Sequence, residues 1–296
     1  MGGTVQVVPH IINEIKDHIY KMSRTGDPDI VISEIGGTVG DMESLPFMEA
    51  IRQVGQQVGR ENVLYVHVTL LPYMRKAQEI KTKPTQHSVQ KLLSIGIQPD
   101  ILVCRSEVTV ELQTREKLAL YCNVDVDCII ENVDVDSVYE LPLLFEKAKM
   151  ASVVCKKLQI AQMAQPDLHD WEIIVEKQKN AKKLLNIALV GKYVELHDAY
   201  LSVVEAFTHS GIRYDTNVEI KWVSSEEVEK SGAKDAIGEV DGIIVPGGFG
   251  PRGMEGMILA SKYAREEKIP FFGIGLGMQM AVVDFARNVA KIENAH

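Results

Sequence analysis

The stretch D-I-V-I-S-E-I-G-G-T-V-G-D-M-E-S-L-P, residues 29–46, joins a short apolar run to a glycine-rich acidic turn. The β-branched run at its start predicts a strand that is buried on both faces. Open α/β sheets bind ligands beyond the carboxyl ends of their strands. The three carboxylates that follow, Glu34, Asp41 and Glu43, therefore predict a site for a divalent cation or for sugar hydroxyl groups. The alternative is an ordinary turn with solvated acids.

A second polar stretch, K-T-K-P-T-Q-H-S at residues 81–88, supplies the opposite charge. Two ammonium groups, hydroxyl groups and an amide on a proline-containing loop suit a phosphate or the edge of a pyrimidine. The same residues also fit a solvated helix N-terminus capped by Thr85 or Ser88.

A third stretch, G-I-G-L-G-M-Q at residues 273–279, lies where a strand meets a helix. Glycines on both sides of a central residue are typical of a nucleophile elbow, a sharp turn that exposes one side chain above the sheet. Anion binding at a helix entry and simple tight packing remain open as alternatives.

Length and composition predict about two soluble domains, since the chain has 296 residues of which 46% are hydrophobic. The net charge of −9 disfavours nucleic acid as a partner. No apolar run is long enough for a membrane span, and no signal-like segment is present. The four cysteines have no metal-site spacing, which suggests reduced thiols in a cytoplasmic protein.

Strands that alternate with helices predict parallel sheets with helical crossovers. Asp198 is expected to cap the helix that follows it. A lysine-rich stretch, residues 156–183, lacks a strand pattern and is interpreted as a linker built around a helix. The predicted strands lie near residues 30–35, 62–71, 100–104, 128–130, 187–190, 218–223, 242–245 and 270–274.

Four motifs closely resemble the CTP synthase family: I-S-E-I-G-G-T-V-G-D-M-E-S-L-P-F (32–47), K-T-K-P-T-Q-H-S-V (81–89), L-S-I-G-I-Q-P-D (93–100) and V-P-G-G-F-G-P-R-G (245–253). The similarity covers residues 3–295. It implies a P-loop-type amidoligase domain over residues 1–155, the linker at 156–183, and a flavodoxin-like class I glutamine amidotransferase domain over 184–296. Such enzymes phosphorylate the uracil O4 of UTP with ATP and displace the phosphate with ammonia taken from glutamine.

The resemblance also implies roles for single residues. Glu34 would bind Mg²⁺ that accompanies ATP. UTP or inhibitory CTP would contact Asp41, Met42, Glu43, Lys81, Thr82, Lys83, Pro84, Thr85, Gln86 and Lys117. The adenine of ATP would lie by Val133, Asp134 and Val135. Glutamine would be held by Gly248, Leu276, Gly277, Met278 and Gln279. GTP as an effector and a homotetramer are implied as well.

Departures from the family predict an inactive chain. Gly275 stands where the family has its cysteine nucleophile, and a glycine has no side chain that could attack an amide. No G-x-x-x-x-G-K-[ST] sequence occurs, and the family's His and carboxylate that activate the thiol belong to a later segment, so both domains are expected to be incomplete. The alternative is a non-catalytic relative that binds pyrimidine nucleotide or assembles with full-length subunits. An unrelated P-loop or flavodoxin-like binding protein is a third hypothesis.

Overall fold

The computed structural model describes residues 3–161 and 164–296, which fall into two compact units, one ending at Glu172 and the other comprising Ile173–His296. Residues 1–2 of the predicted first domain and residues 162–163 of the predicted linker lie outside the described ranges. Within those ranges no helix is both long and apolar enough to cross a membrane. The predicted domain boundaries stay a prediction.

The first unit contains a small parallel sheet with helices around it. Its helices, with α7 continuing into the second unit, are α1 (Ile12–Ser23), α2 (Leu45–Val58), α3 (Lys83–Ile95), α4 (Leu112–Cys122), α5 (Leu141–Lys147), α6 (Met150–Lys157) and α7 (His169–Lys179). Its strands are β1 (Val66–Leu70), β2 (Tyr73–Met74), β3 (Glu79–Ile80), β4 (Ile101–Ser106) and β5 (Ile129–Val133).

Strand β4 is the centre of that sheet. The order is β1-β4-β5, all parallel, whereas β2 and β3 form a separate antiparallel pair. Apolar side chains of β4 are buried on both faces, as a central parallel strand requires. Parallel pairing places the carboxyl ends of the three strands at one edge, and one core cluster beside the sheet includes Leu102, Leu118 and Ile129.

The predicted strand over residues 30–35 is wrong for this structure. These residues have no strand hydrogen bonding, and Ile32 is 91% exposed. A strand requires a hydrogen-bonded neighbour, and none of the described strands pairs with this segment. Only its end is anchored, since Ile35 and Val39 pack against a small cluster that contains Met48.

The second unit has a four-stranded parallel sheet. Its strands are β6 (Lys183–Gly191), β7 (Thr216–Ser224), β8 (Gly242–Val245) and β9 (Phe271–Gly273). Its further helices are α8 (Leu201–Tyr214), α9 (Ser225–Ser231), α10 (Ala233–Ile237), α11 (Met254–Glu266) and α12 (Leu276–Asp284). The order β7-β6-β8-β9 is the flavodoxin-like order, which confirms the predicted fold class.

In this order the chain changes direction across the sheet between β6 and β8. Open α/β sheets bind ligands at such a switch point, beyond the carboxyl ends of the strands. Buried residues of β6 and β8, including Val190 and Val245, pack with Met257 of α11 and hold those ends in place. The expected cap at Asp198 is wrong: Asp198 lies in a 3₁₀ turn, and α8 begins after Tyr200 without a side-chain cap.

Candidate functional site

The basic stretch of the first unit is the start of a helix rather than a loop. Helix α3 begins at Lys83, with Thr82 in the N-cap position and Pro84 in the first turn. Proline is accommodated there because the first N–H groups of a helix have no intrahelical acceptor. Thr85 and Ser88 lie inside the helix, so the expectation that either of them caps it is wrong.

Two threonines of this stretch attach it to the sheet. Thr85 is fully buried, its Oγ1 lies 2.9 Å from Thr69 Oγ1 of β1, and it donates a hydrogen bond of 3.1 Å to the Leu70 carbonyl. Thr82 is also buried, and its Oγ1 accepts a hydrogen bond from Gln86 Nε2. These hydroxyl groups orient the exposed Lys81 and Lys83 rather than face solvent themselves.

The carboxylate of Glu79 on β3 interacts with the predicted cationic residues. It forms an ion pair with Lys81 at 2.6 Å. The hydrogen bond from Lys81 is the main cause of a lowered pKa of Glu79, and the charge of Lys117 on α4 lowers it further. Glu79 thus pairs directly with Lys81, a contact that sequence reasoning missed. The available signal was the i, i+2 spacing of Glu79 and Lys81.

The acidic stretch is a loop that leads into α2. Asp41 Oδ2 accepts a hydrogen bond of 3.2 Å from the Thr38 N–H, while Met42 and Glu43 form a 3₁₀ turn. Gly40 (φ +110°) lies beside the stem of Lys91 on α3: a Cβ there would be 3.5 Å from Lys91 Cγ.

A preformed metal site on this loop is not found. In the described ranges no group of three or more His, Cys, Asp or Glu side chains could hold a metal ion. The expected cluster of Glu34, Asp41 and Glu43 as cation ligands is therefore not formed, whereas the role of Glu34 as a single magnesium ligand stays a prediction.

The predicted adenine segment lies at the carboxyl edge of the sheet. Val133 ends β5, and the Asp134 N–H donates a hydrogen bond of 3.0 Å to the carbonyl of Ser106, the last residue of β4. Asp134 Oδ1 lies 3.6 Å from a guanidinium nitrogen of Arg105. Val135, which follows, is half-buried. The segment is thus fixed at the edge where ligands of parallel sheets bind.

In the second unit, residues 273–279 form the predicted sharp turn. Strand β9 ends at Gly273, α12 begins at Leu276, and Gly275 between them has φ +53° and ψ −107°. The Ile274 N–H donates a hydrogen bond of 2.9 Å to the Val245 carbonyl at the end of β8. This is the strand–turn–helix context of a nucleophile elbow.

The three glycines of the turn differ in what surrounds them. A Cβ on Gly273 would lie 2.5 Å from the backbone nitrogen of Met278, and one on Gly277 would overlap the carbonyl of Val245. A Cβ on Gly275 would meet none of the described atoms within 4 Å. The outer glycines are thus required for packing, whereas the central position has room for a side chain.

The loop after β8, residues 246–253, is called here the Gly248 loop. Lys192, which follows β6, is only 5% exposed and donates from Nζ to the carbonyls of Phe249 (3.2 Å) and Gly250. Burial lowers the pKa of Lys192. The Phe249 N–H donates to Tyr193 Oη at 3.2 Å, and an Arg252 guanidinium nitrogen donates to the Lys192 carbonyl at 3.1 Å.

The predicted glutamine contacts therefore share one edge of the sheet. Gly248 follows β8 and the elbow follows β9, its neighbour in the sheet. Gly277 is buried and half-buried Leu276 opens α12, while Met278 and Gln279 are exposed in its first turn. The first N–H groups of a helix lack intrahelical acceptors and favour negative charge. Lys192 and Tyr193 were not identified from sequence.

Comparison with protein families gives two matches along the chain. The family model described as CTP synthase N-terminus matches residues 1–160, and the model described as glutamine amidotransferase class-I matches residues 195–296. The first match alone covers more than half of the chain.

Curated relatives match the whole chain. Proteins named CTP synthase from Ruminiclostridium cellulolyticum, Clostridium kluyveri and Bacillus mycoides are 58%, 56% and 54% identical over 296 residues. The alignments cover 100% of this chain and 55% of each relative, so the chain spans about half the length of these proteins. Among solved structures, the glutaminase domain of Trypanosoma brucei CTPS with bound acivicin is 45% identical, covering 36% of this chain and 41% of that one. Its TM-score of 0.33 supports no argument about the fold.

Proposed function

The chain belongs to the CTP synthase family, and from this membership we propose that it contributes to the ATP-dependent amination of UTP to CTP in pyrimidine nucleotide synthesis. Its first unit would bind the nucleotides, and its second unit would bind glutamine as the nitrogen donor of the family. We further propose that the second unit binds glutamine without hydrolysing it, since Gly275 supplies no nucleophile.

The proposed UTP or CTP site uses the start of α3 and its surroundings. Lys81, Lys83 and Lys117 would bind phosphate oxygens, for which charge-assisted hydrogen bonds are the strongest available contacts. The ion pair of Lys81 with Glu79 supports this role, because a carboxylate and a phosphate are bound by the same cations. Asp41 and Glu43, as acceptors, would bind hydroxyl or amino groups rather than phosphate. Met42, Thr82, Pro84, Thr85 and Gln86 complete the proposed site.

ATP would lie at the carboxyl edge of the same sheet, with its adenine by Val133, Asp134 and Val135. The family's transfer of a γ-phosphoryl group to the uracil oxygen depends mainly on positioning and on neutralising charge. The described side chains alone do not form a metal site. We propose only that Glu34 supplies one carboxylate to a magnesium ion held mainly by nucleotide phosphates and water.

The glutamine half of the proposal rests on one observation, the conformation at Gly275. The turn has the geometry of an elbow, yet the residue at its apex has no side chain. The Gly248 N–H and the first N–H groups of α12 would still bind the oxygen of the substrate amide. Covalent hydrolysis needs a thiolate or a hydroxyl group at the apex. Binding without turnover follows.

The test separates binding from hydrolysis in the same sample. Calorimetry with glutamine should give a heat of binding, while glutamate release should stay at the level of a blank without protein. Glutamate above that blank would refute the claim that Gly275 abolishes hydrolysis. A folded sample without heat at millimolar glutamine would refute glutamine binding.

The nucleotide site is tested separately, by calorimetry with CTP. Lys117→Ala should weaken binding by about 1–3 kcal/mol, the scale of a charge-assisted hydrogen bond. Lys21→Ala, which removes an exposed charge on α1, is the matched control and should have no effect. Equal affinities in both variants would exclude Lys117 from the site.

Further proposals concern the oligomeric state, the effector and the cellular location. A homotetramer, GTP as an effector and a cytoplasmic location are proposed from the family alone. The four cysteines are free thiols in the structure, which fits a reducing compartment.

A further inference from the structure

Lys192 lies at the switch point of the second sheet, at the end of β6 and against the loop that follows β8. Lysine is among the residues that are least often fully buried, because its ammonium group loses hydration there. A lysine that is 5% exposed at a ligand-binding edge needs a compensating set of partners. Its partners are two backbone carbonyls of one glycine-rich loop.

These contacts determine how the loop backbone is oriented. A peptide group is planar, so a fixed N–H or C=O orients the whole unit. Tyr193 Oη fixes the peptide group before Phe249 through its N–H, and Lys192 fixes the two that follow through the carbonyls of Phe249 and Gly250. Three consecutive peptide groups after Gly248 are thereby held.

The stem of Lys192 also touches Gly248 itself. A Cβ on Gly248 would lie 3.1 Å from Lys192 Cδ and 3.4 Å from Cε. The backbone of Gly248 therefore rests on the methylene groups of the lysine, so the stem and the ammonium group of that side chain contact the same loop. The Arg252 guanidinium donates to the Lys192 carbonyl and pairs with Glu226, which closes the loop from its other end.

We infer that Lys192 is a positioning residue: it holds the Gly248 loop so that the Gly248 N–H faces the substrate amide. The functional role inferred for Lys192 rests on the proposed glutamine site, whereas its contacts with the Gly248 loop do not. Lowering of the Lys192 pKa by burial agrees with an ammonium group enclosed by the protein; Tyr193 and Glu229 oppose that lowering and Arg252 adds to it.

The main experiment compares two lysine variants in the full chain. Lys192→Met removes the ammonium group and keeps an unbranched side chain. Lys221→Met is the matched control, because Lys221 Nζ also donates to a backbone carbonyl of the same unit, that of Ile237, at 2.7 Å. Hydrogen exchange of the amides at residues 247–250 should become about tenfold faster, or more, in Lys192→Met, as expected when a local structure loses its fixing contacts. Lys221→Met should leave those amides unchanged.

A purely structural role gives a different result. In that case Lys192→Met would lower the melting temperature as Lys221→Met does, with no selective change at residues 247–250, and the inference would be overturned. Should Lys192→Met fail to fold, the wild-type protein decides. The ammonium protons of Lys192 should be observable by ¹⁵N NMR near neutral pH and show contacts to the Gly248 loop; a rapidly exchanging, solvated signal overturns the inference.

Glutamine affinity gives an independent readout. Lys192→Met should weaken glutamine binding about tenfold or more, the range for losing hydrogen bonds that involve a charged group, and Lys221→Met should not. If the wild-type chain binds no glutamine, the proposed function fails, and the exchange measurement still decides whether Lys192 positions the loop. If glutamine binds equally well to both variants, the functional part of the inference is wrong.

Discussion

The hydroxyl groups of Thr69 and Thr85 share a buried hydrogen bond of 2.9 Å that connects strand β1 to the first turn of helix α3. Thr85 is fully buried and its Oγ1 also lies 3.1 Å from the Leu70 carbonyl. Since α3 begins with the cationic residues of the proposed nucleotide site, this pair determines where those residues stand relative to the sheet.

Replacement of the Thr85 hydroxyl group by a methyl group should destabilise the first unit. Thr85→Val leaves Thr69 Oγ1 without its partner, and an unsatisfied buried polar group costs about 1–3 kcal/mol. Denaturant unfolding, followed by Trp171 fluorescence in a Trp222→Phe background, measures the change. Thr85→Ser keeps the hydroxyl group and is the control for it. If Thr69→Val together with Thr85→Val is no less harmful than the sum of the two, the pair does not act as a unit.

In the proposed nucleotide site Glu79 would compete with a bound nucleotide for Lys81, so removal of its charge should strengthen binding. Glu79→Gln keeps the size of the side chain and frees Lys81 from its 2.6 Å ion pair. Because both side chains are largely exposed and screened by solvent, the gain should be small. Titration of CTP against both proteins at low and high salt measures it. Weaker binding in Glu79→Gln would mean that Glu79 orients the lysines instead of competing for them.

The turn at residues 273–279 predicts unequal effects of alanine. Gly277→Ala should be strongly destabilising because its Cβ overlaps the Val245 carbonyl. Gly275→Ala meets no neighbour among the described atoms, but it forces an L-residue to φ +53° and should cost about 1–3 kcal/mol of backbone strain. Trp222 fluorescence in a Trp171→Phe background follows the unfolding of this unit. Equal effects at the two positions would contradict the packing described for the turn.

Glu49 should make the first unit sensitive to acid. Its carboxylate accepts two hydrogen bonds from Arg52, at 2.8 and 2.7 Å, and this pairing is the main cause of the lowering of its pKa from 4.5 to about 2. Since the folded-state pKa is the lower one, the stabilisation is present above about pH 4.5 and is lost as the pH falls towards 2. The pair is about one-third exposed, so we expect about 1 kcal/mol after screening by solvent.

The measurement is the unfolding free energy of the first unit between pH 6 and the most acidic pH at which it remains folded. Glu49→Gln should be less stable than the parent at pH 6, and the difference should shrink as the pH is lowered. Arg52→Met is the control, because Glu49→Gln should add little in its background. A difference that is independent of pH would mean that Glu49 acts through packing alone.

The strands and turns of the second unit were predicted from sequence more accurately than those of the first. Periodicity placed β8 at residues 242–245, where it lies, and the glycines at 273–277 predicted the turn that connects β9 to α12. Local patterns sufficed there because each strand finds its partner within the unit. The run at residues 30–35 has an equally strong pattern, yet a strand depends on hydrogen bonds to a neighbour, which its own sequence does not encode.

The candidate site was predictable in its charges and not in its contacts. The lysines of residues 81–83 were identified by type, but burial of Thr85 depends on a strand some fifteen residues earlier in the chain. Lys192 was missed because its partners are more than fifty residues away and are backbone atoms, which carry no side-chain signal. Glu79 was missed because its ion pair with Lys81 depends on the short antiparallel pair of β2 and β3, which the sequence pattern did not predict.

Because Gly275 is a glycine, the positive φ at the apex of its turn costs no backbone strain, and this has a consequence for selection on stability. A cysteine at φ +53° would carry backbone strain that a glycine does not, so selection for thermal stability alone would favour glycine at this position. Chaperones and proteases act on unfolded chains, so they would not reduce the amount of a protein with glycine at position 275. Expression level and melting temperature therefore do not report on catalysis at this turn. A library of variants screened only for soluble, stable protein would be enriched in glycine at position 275, whatever its activity.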